Sequence, residues 1–311
     1  MRHALLLLTA LAMVGLISCD WEDMSPRTRE KEDFHYSYDL KPGGRLTVES
    51  FNGSVEIYGW DKDKVEINGT KYASTRDLLN EIKIEVTPSA DLIQIRTLVP
   101  SMEGRRGNRG ARYVIHLPIR TRLERIESSN GPLRVESIDG EGRLKTSNGP
   151  VRLVKFRGNV DVRTSNGPIT LDEFSGEALL ATSNGPIKAS GVRGYLDAST
   201  SNGPLTATVD DPDSARPLKL RTSNGPLTLT LPSGRLADVS AVTNNGPITL
   251  RLPASANARL KARTSNSNVT CDFGLNQVTL QSKTEVEGVI GQGGPILDLR
   301  TSNGGIRVVR N

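Results

Sequence analysis

The sequence predicts an all-β protein built as a parallel β-solenoid, a β-helix whose coils are roughly 18–22 residues long. A Ser-Asn-Gly-Pro motif recurs along the chain, and the apolar residues that follow it keep the same phase. The 30 glycines and the low aromatic fraction of 4% favour many turns around a thin core. A repeat of this length is typical of solenoids, in which stacked coils bury a core that no single repeat could form.

The motif marks the coils of the repeat region, residues 126–311. Its first four spacings are 18 residues, and the next three are 22, 21 and 21. In a parallel stack the same side chain recurs about every 4.8 Å and can hydrogen-bond to its neighbour, whereas a meander separates such turns by a strand. We therefore predict a buried asparagine ladder, with Asn303 at the end of the stack, made of Asn130, Asn148, Asn166, Asn184, Asn202, Asn224, Asn245 and Asn266.

Between two corners the pattern indicates two short strands joined by a turn near Gly158. Apolar residues alternate with polar ones, so one side of each strand faces the core and Phe156 and Phe174 point inward. The longest repeat adds "DDPDSARP", residues 210–217, whose composition predicts an outward loop.

Residues 34–125 are predicted to form an N-terminal cap and a first coil that carries an insertion. The stretch "NGSVEIYGWDKDKVEI", residues 52–67, repeats the apolar phase of the later coils. The insertion, roughly residues 68–125, contains a predicted short helix capped by Ser74 or Thr75 that runs into a strand. It also contains a basic glycine-rich stretch, residues 104–112, that we expect to be a loop.

This first copy, followed by the series of "SNGPI" and "SNGPL" corners, resembles the bacterial putative-adhesin domain of unknown function. The resemblance covers the chain from about Phe34 onwards and implies an extracytoplasmic β-solenoid. Two departures, Ser267 in "SNSN" and the irregular "GQGGPI" at residues 291–296, suggest that the last coils loosen or cap the stack.

The first 18 residues have the pattern of an export signal, with Arg2 and His3 before an apolar run. The stretch "LISC", Leu16 to Cys19, resembles the lipobox of bacterial lipoproteins, in which the cysteine becomes the lipidated first residue. Cys19 would then hold the chain at a membrane, in a leaflet that the sequence leaves open, with residues 19–33 as a charged, flexible tether. The alternative is ordinary cleavage, with Cys19 as a bystander.

No catalytic motif, metal-ligand spacing or cofactor-binding fingerprint is found in the sequence, so we expect a protein that is not an enzyme and needs no cofactor. His35 and His116 are interpreted as strand histidines and Cys271 as a buried thiol. The loop aspartates are interpreted as a solvated acidic turn rather than a calcium site. They are Asp210, Asp211 and Asp213.

These observations predict a non-catalytic, lipid-anchored β-solenoid of the bacterial cell envelope that acts as an adhesive, binding or structural module. Two other functions stay open. One is a carbohydrate-active β-helix enzyme that would use Asp161, Asp172 and Glu173. The other is an accessory protein of envelope-stress signalling.

Cations recur on both sides of the corner motif. Three residues before the motif asparagine stand Lys145, Arg163, Arg221, Arg263 and Arg300, and on the other side Arg134, Arg152 and Lys188 share one position. We predict that this edge binds an anionic envelope polysaccharide or lipid headgroups through Arg152, Arg163 and Arg221. With a formal net charge of only +5, an ordinary solvated face is the alternative, and no nucleic-acid partner is expected.

Overall fold

A computed structural model describes residues 30–99 and 107–311. The predicted signal peptide, Cys19 and the tether up to residue 29 lie outside the described residues. The described chain is almost entirely β-strand with one short helix, so the predicted fold class is confirmed.

The N-terminal part contains eight strands and the helix α1. In chain order they are β1 (Glu30–Asp39), β2 (Arg45–Asn52), β3 (Val55–Trp60), β4 (Lys64–Ala73), α1 (Arg76–Asn80), β5 (Lys83–Pro88), β6 (Leu92–Leu98), β7 (Arg109–Pro118) and β8 (Arg122–Asn130).

The repeat region contains the other strands. They are β9 (Leu133–Thr146), β10 (Val151–Thr164), β11 (Ile169–Thr182), β12 (Ile187–Thr200), β13 (Leu205–Pro212), β14 (Leu218–Thr222), β15 (Leu227–Thr230), β16 (Val239–Val242), β17 (Ile248–Leu252), β18 (Ala258–Thr264), β19 (Val269–Cys271), β20 (Leu275–Gln281), β21 (Glu285–Ile290), β22 (Ile296–Thr301) and β23 (Ile306–Arg310).

Each coil consists of two strand runs that enclose one core. In β9 to β12, the strand segment after the asparagine motif pairs with the same segment of the neighbouring coils, and these segments together form sheet A. The strand segments before the motif pair in the same way and form sheet B. The motif itself is the Asn corner. In β9 to β12 the chain bends from sheet A to sheet B at a second corner, the far corner, marked by Gly140, Gly158, Gly176 and Gly194.

The regular coils stack in parallel and in register. Val151 of β10, for example, lies between Leu133 of β9 and Ile169 of β11. The inward residues of both sheets form one continuous cluster. Phe156 and Phe174 are buried in it with ring centroids 6.2 Å apart, as their inward phase predicted.

At the N-terminal end the coils do not stack in chain order. The coil of β2 and β3 lies between the coil of β6 and β7 on one side and β8 and β9 on the other. Antiparallel strands then cover this end, with β4 and β1 next to β7 and β5 next to β6. Part of the predicted insertion is therefore itself the first coil of the stack.

The C-terminal end is also out of order. Strands β22 and β23 lie between the coil of β16 and β17 and the coil of β18 and β19, and β21 and β20 close sheet B in antiparallel fashion. The expectation that Asn303 ends the stack is wrong, because its coil is internal and the coil of Asn266 is the last. Ser267, the departure seen in the sequence, stands at that last corner.

Three local predictions can be compared with the structure. Helix α1 is capped by Thr75, whose side chain accepts a hydrogen bond from the Leu78 backbone N–H, and the chain continues into β5 as predicted. Strand β1 begins at Glu30, so residues 30–33 are not part of a tether. Strand β7 begins at Arg109, so the second half of the expected basic loop is strand, paired with β4.

Candidate functional site

The Asn corners form a continuous row of hydrogen-bonded side chains. In each pair the Nδ2 atom of one asparagine donates to the Oδ1 atom of the asparagine on the preceding coil, over 2.7–2.9 Å. The order of the row is Asn52, Asn130, Asn148, Asn166, Asn184, Asn202, Asn224, Asn245, Asn303 and Asn266.

The prediction that this ladder is buried is wrong. Asn166 and its neighbours in the stack are exposed, because the corner turns their side chains along the outside of the solenoid. Between the two ends of the row, each amide uses one N–H and one lone pair within the row, and its remaining N–H and lone pair can face a ligand or water.

The buried polar column beside the corner was missed by sequence reasoning. A threonine two residues before the motif asparagine donates from Oγ1 to the carbonyl oxygen of the preceding corner's glycine, over 2.7–3.3 Å. The signal was present as "TSNG" and "TNNG" in the sequence. The column consists of Thr146, Thr164, Thr182, Thr200, Thr222, Thr243, Thr264 and Thr301.

Glycine is required at this corner because the coils approach each other closely. A Cβ atom on Gly167 would overlap the carbonyl oxygen of Gly149 on the preceding coil. The corner therefore combines a glycine that permits the approach, a threonine that satisfies its carbonyl, and an asparagine that continues the outer row.

The three arginines predicted to bind anions flank the Asn corner, and each contacts a carboxylate. Arg152 lies on sheet A, 2.9 Å from Asp172. Arg163 makes a two-pronged contact with Asp161 on its own strand of sheet B, with both distances 3.0 Å. Arg221 lies 3.5 Å from Asp197.

Arg163 and Arg221 occupy the same position on different coils but are not neighbours. Ala181 and Ser199 occupy that position on the two coils between them. The side chains of Arg152, Arg163 and Arg221 stay at least half exposed, at 52%, 66% and 51%.

The carboxylates considered for glycoside cleavage are not brought together. Asp161 lies on sheet B and Asp172 on sheet A, and each is held by its arginine. Glu173 lies at the far corner. The geometry gives no acid–base pair across a shared cleft.

The aspartates expected in an outward loop do not gather around one site: Asp210 and Asp211 belong to strand β13, so the expected loop begins only after Pro212. Asp211 and Asp213 are engaged by cations or backbone groups, whereas Asp210 lines a groove at the far corner. The pKa of Asp213 is lowered mainly by the backbone N–H of Ala215 and then by Arg216. Asp211 contacts Arg235 at 3.0 Å. Among residues 30–99 and 107–311, no cluster of three His, Cys, Asp or Glu side chains has the arrangement of a metal site.

Cys271 is partly rather than fully buried, and burial raises the pKa of its thiol. A thiol with a raised pKa is a poor nucleophile at neutral pH. The geometry thus fits the structural interpretation of this cysteine.

An aromatic row on sheet A escaped sequence reasoning, which considered only the regular repeats. The His116 ring lies between Tyr58 and Trp60, with centroid distances of 5.5 Å and 5.3 Å. Lys62 lies over the outer face of this row at Trp60 and Arg134 over Tyr58. The three rings therefore contact one another and two cations, and each of them is partly buried on the sheet surface.

No helix within the described ranges is long and apolar enough to cross a membrane. A comparison with curated protein sequences finds no significant match.

Solved structures with low similarity include a "putative adhesin" from Bacteroides fragilis, at 12% identity and a TM-score of 0.39, covering 90% of this chain and 97% of that one. They also include a "putative cell adhesion protein" from Clostridium sporogenes, at 11% identity and a TM-score of 0.24, covering 90% and 100%. A third is a "putative lipid binding protein" from Parabacteroides distasonis, at 10% identity and a TM-score of 0.33, covering 90% and 96%.

At such identities and TM-scores these similarities say nothing of what this chain binds. The family comparison is stronger, because the family described as Toastrack DUF4097 matches residues 41–309, most of the chain and all of its regular coils. The chain belongs to the Toastrack DUF4097 family.

Proposed function

We propose that this protein is a non-catalytic binding module of the bacterial cell envelope, and that its Asn corner binds an anionic polymer. The observation that carries the proposal is the exposed asparagine row, which runs along the stack with cations on both sides. Arg134, Arg152 and Lys188 lie on the sheet A side, and Lys145 and Arg163 lie on the sheet B side.

A surface that repeats suits a ligand that repeats. Each coil offers an amide and, in several coils, a cation, at a spacing of about 4.8 Å along the stack. A polymer with regularly placed anionic groups can make many equal contacts, and each further contact forms at the high effective concentration set by the first. Weak single contacts then give useful total affinity.

The ion pairs at the corner shape this binding rather than prevent it. Asp161 orients the Arg163 guanidinium, and Asp172 does the same for Arg152. A polyanion has to compete with these carboxylates in water, so each contact is modest and strongly screened by salt. Lys145 and Lys188 have no carboxylate within 4.0 Å in the described part of the chain, and their ammonium groups meet a ligand without such competition.

The test uses purified protein and a matched set of polymers. We expect binding to an acidic polysaccharide that weakens at least tenfold when salt rises from about 50 mM to about 200 mM, where the screening length falls to below 10 Å. The triple variant Arg152→Ser, Arg163→Ser, Arg221→Ser should bind several-fold more weakly and keep its fold. Equal binding to a neutral polysaccharide, or binding that ignores salt, would contradict the proposal.

A control variant separates position from charge. Arg45, Arg122 and Arg235 also form ion pairs with carboxylates. They lie at or shortly before the first residue of a sheet B strand, away from the Asn corner. Their replacement by serine removes the same charge and should leave polymer binding within about twofold of wild type. An equal loss in both triple variants would show a general charge effect.

The proposal includes a lipid anchor at Cys19. Ten residues separate Cys19 from Glu30, where the described structure begins, and span at most about 35 Å when extended. An anchor at Cys19 would thus keep the N-terminal cap within that distance of the membrane. Cys19→Ala should abolish metabolic labelling of the chain by a fatty acid, and unchanged labelling would refute the anchor.

A further inference from the structure

The far corner carries an unusual backbone conformation on successive coils. Ser137, Lys155 and Glu173 have φ values of 61°, 54° and 54°, in the left-handed region that residues with a side chain seldom adopt. They occupy the same position on three neighbouring coils. The residues before and after them pair with their equivalents on a neighbouring coil, whereas these three lie at a break in the pairing. On the next coil that position is Gly191, with a φ of 63°.

The fold itself does not demand side chains at this position. Gly191 adopts the same conformation without strain, so glycine would serve all of these coils. Strained residues of this kind persist where the surrounding structure enforces them, and they concentrate at functional sites. The charged side chains of Lys155 and Glu173 thus require a reason other than the turn.

These residues line a groove of about 500 Å³ along the far corner, which we call the far-corner groove. Its apolar lining includes the buried side chains of Ile138 and Phe174 and the exposed side chain of Ile119. The charged side chains of the groove are of both signs. They are Lys155, Arg157, Arg193, Asp139, Glu173 and Asp210.

The charges of the groove differ from the three arginines of the Asn corner in having no partners among the described residues. At the Asn corner, Arg152, Arg163 and Arg221 are each held by an aspartate. Across the described residues, none of the six groove charges has an oppositely charged group within 4.0 Å, although Lys155 and Glu173 stand on adjacent coils.

Three unpaired cations and three unpaired carboxylates give the groove no net charge. A polyanion would gain from the cations and lose as much to the carboxylates. A ligand with a cationic and an anionic group gains from both, provided that its charges are separated by a small number of coil spacings of about 4.8 Å. The charge pattern therefore favours a zwitterion.

We propose that the far-corner groove binds a zwitterionic ligand such as the free termini of a short peptide. The ligand's carboxylate contacts Lys155, Arg157 or Arg193, and its ammonium group contacts Glu173, Asp139 or Asp210. A three-residue peptide spans about 10 Å when extended, which is close to two coil spacings. This site is separate from the polymer edge at the Asn corner and stands whether or not that edge binds a polymer.

The probe is triglycine, with two derivatives that each lack one charge. N-acetyl-triglycine has no ammonium group, and triglycinamide has no carboxylate. By NMR titration or calorimetry at low salt, we expect triglycine to bind at least fivefold more tightly than either derivative. Equal binding of the three peptides, or no binding of triglycine at millimolar concentration, would overturn the proposal.

A double variant tests the place of binding without loss of the fold. Lys155→Gly with Glu173→Gly gives both coils the residue found at Gly191, so the melting temperature should stay equal or rise. Triglycine binding should fall at least tenfold. If the double variant binds like wild type, the groove is not the site; if it unfolds, the argument that the side chains are dispensable for the turn is wrong.

The matched control lies on the same two coils. Arg152→Ser with Asp172→Ser also removes one cation and one carboxylate, but from an ion pair on sheet A. Triglycine binding should stay within about twofold of wild type. A loss as large as that of the glycine variant would overturn the assignment to the far corner.

Discussion

Thr182 offers the sharpest test of how the coils are held together. Its side chain is 6% exposed, and its Oγ1 atom donates to the carbonyl oxygen of Gly167 over 3.1 Å. Gly167 lies at the close approach between two coils. Thr182→Val keeps the size and branching of the side chain but removes the donor.

The expected loss follows from the carbonyl that is left behind. A net hydrogen bond contributes about 1 kcal/mol, and a buried acceptor without a partner costs about 1–3 kcal/mol. We expect Thr182→Val to lower the free energy of unfolding by about 2 kcal/mol. Because 1 kcal/mol corresponds to about 2–4 °C for a domain of this size, Tm should fall by about 4–8 °C.

The assay is denaturant and thermal unfolding followed by circular dichroism, with a control on the same strand. Thr170 points outward from β11 and takes part in no side-chain hydrogen bond among the described residues, so Thr170→Val should change stability by less than about 0.5 kcal/mol. If Thr182→Val is as stable as wild type, or if both variants lose the same amount, the threonine column does not hold the coils.

Three further outcomes follow from the stack. Ser128 occupies the position of the column threonines, but its buried hydroxyl has no partner in the described structure. Ser128→Thr should raise the free energy of unfolding by about 0.5–1 kcal/mol, because it adds a buried methyl group and restricts the hydroxyl to fewer rotamers. A lower Tm would contradict this. Asn303 makes two ladder bonds and Asn266 one, so in denaturant unfolding Asn303→Ala should cost about twice as much as Asn266→Ala, and the reverse order would place Asn303 at the end. In a variant without native thiols, Thr249→Cys with Arg307→Cys should form a disulfide on mild oxidation, because these two residues pair directly between β17 and β23. Thr249→Cys with Thr270→Cys should not form one, because β23 lies between β17 and β19.

The regular coils could be predicted because their information is local. Apolar residues such as Val151 and Leu153 alternate with polar ones, and this alternation decides which side of a strand is buried without reference to any distant residue. The Ser-Asn-Gly-Pro corner is likewise local, since glycine permits the close approach and proline begins the next strand. The fold class and the inward phase of Phe156 and Phe174 followed from these patterns.

The candidate site was less predictable, because its chemistry depends on neighbours in space. The sequence placed Arg163 and Arg221 in one column, but it could not show that Asp161 and Asp197 neutralise them. The exposure of the asparagine row also depends on how the corner turns, since the same ladder of amides can form on either side of a turn. The threonine column and the aromatic row at His116 were visible as letters, and only their partners gave them a role.

By itself, the sequence determined the coil: its length, its corners and its inward face, because these depend on residues within about 20 positions of one another. Only the tertiary structure decided the order of the coils and the distribution of unpaired charge. Every corner presents nearly the same surface, so a corner such as that of Asn245 could accept either the coil of Asn266 or that of Asn303. Long-range packing and the antiparallel strands at the C-terminal end select the second arrangement. The unpaired charges of the far corner likewise depend on which residues neighbouring coils place side by side, which no single repeat specifies.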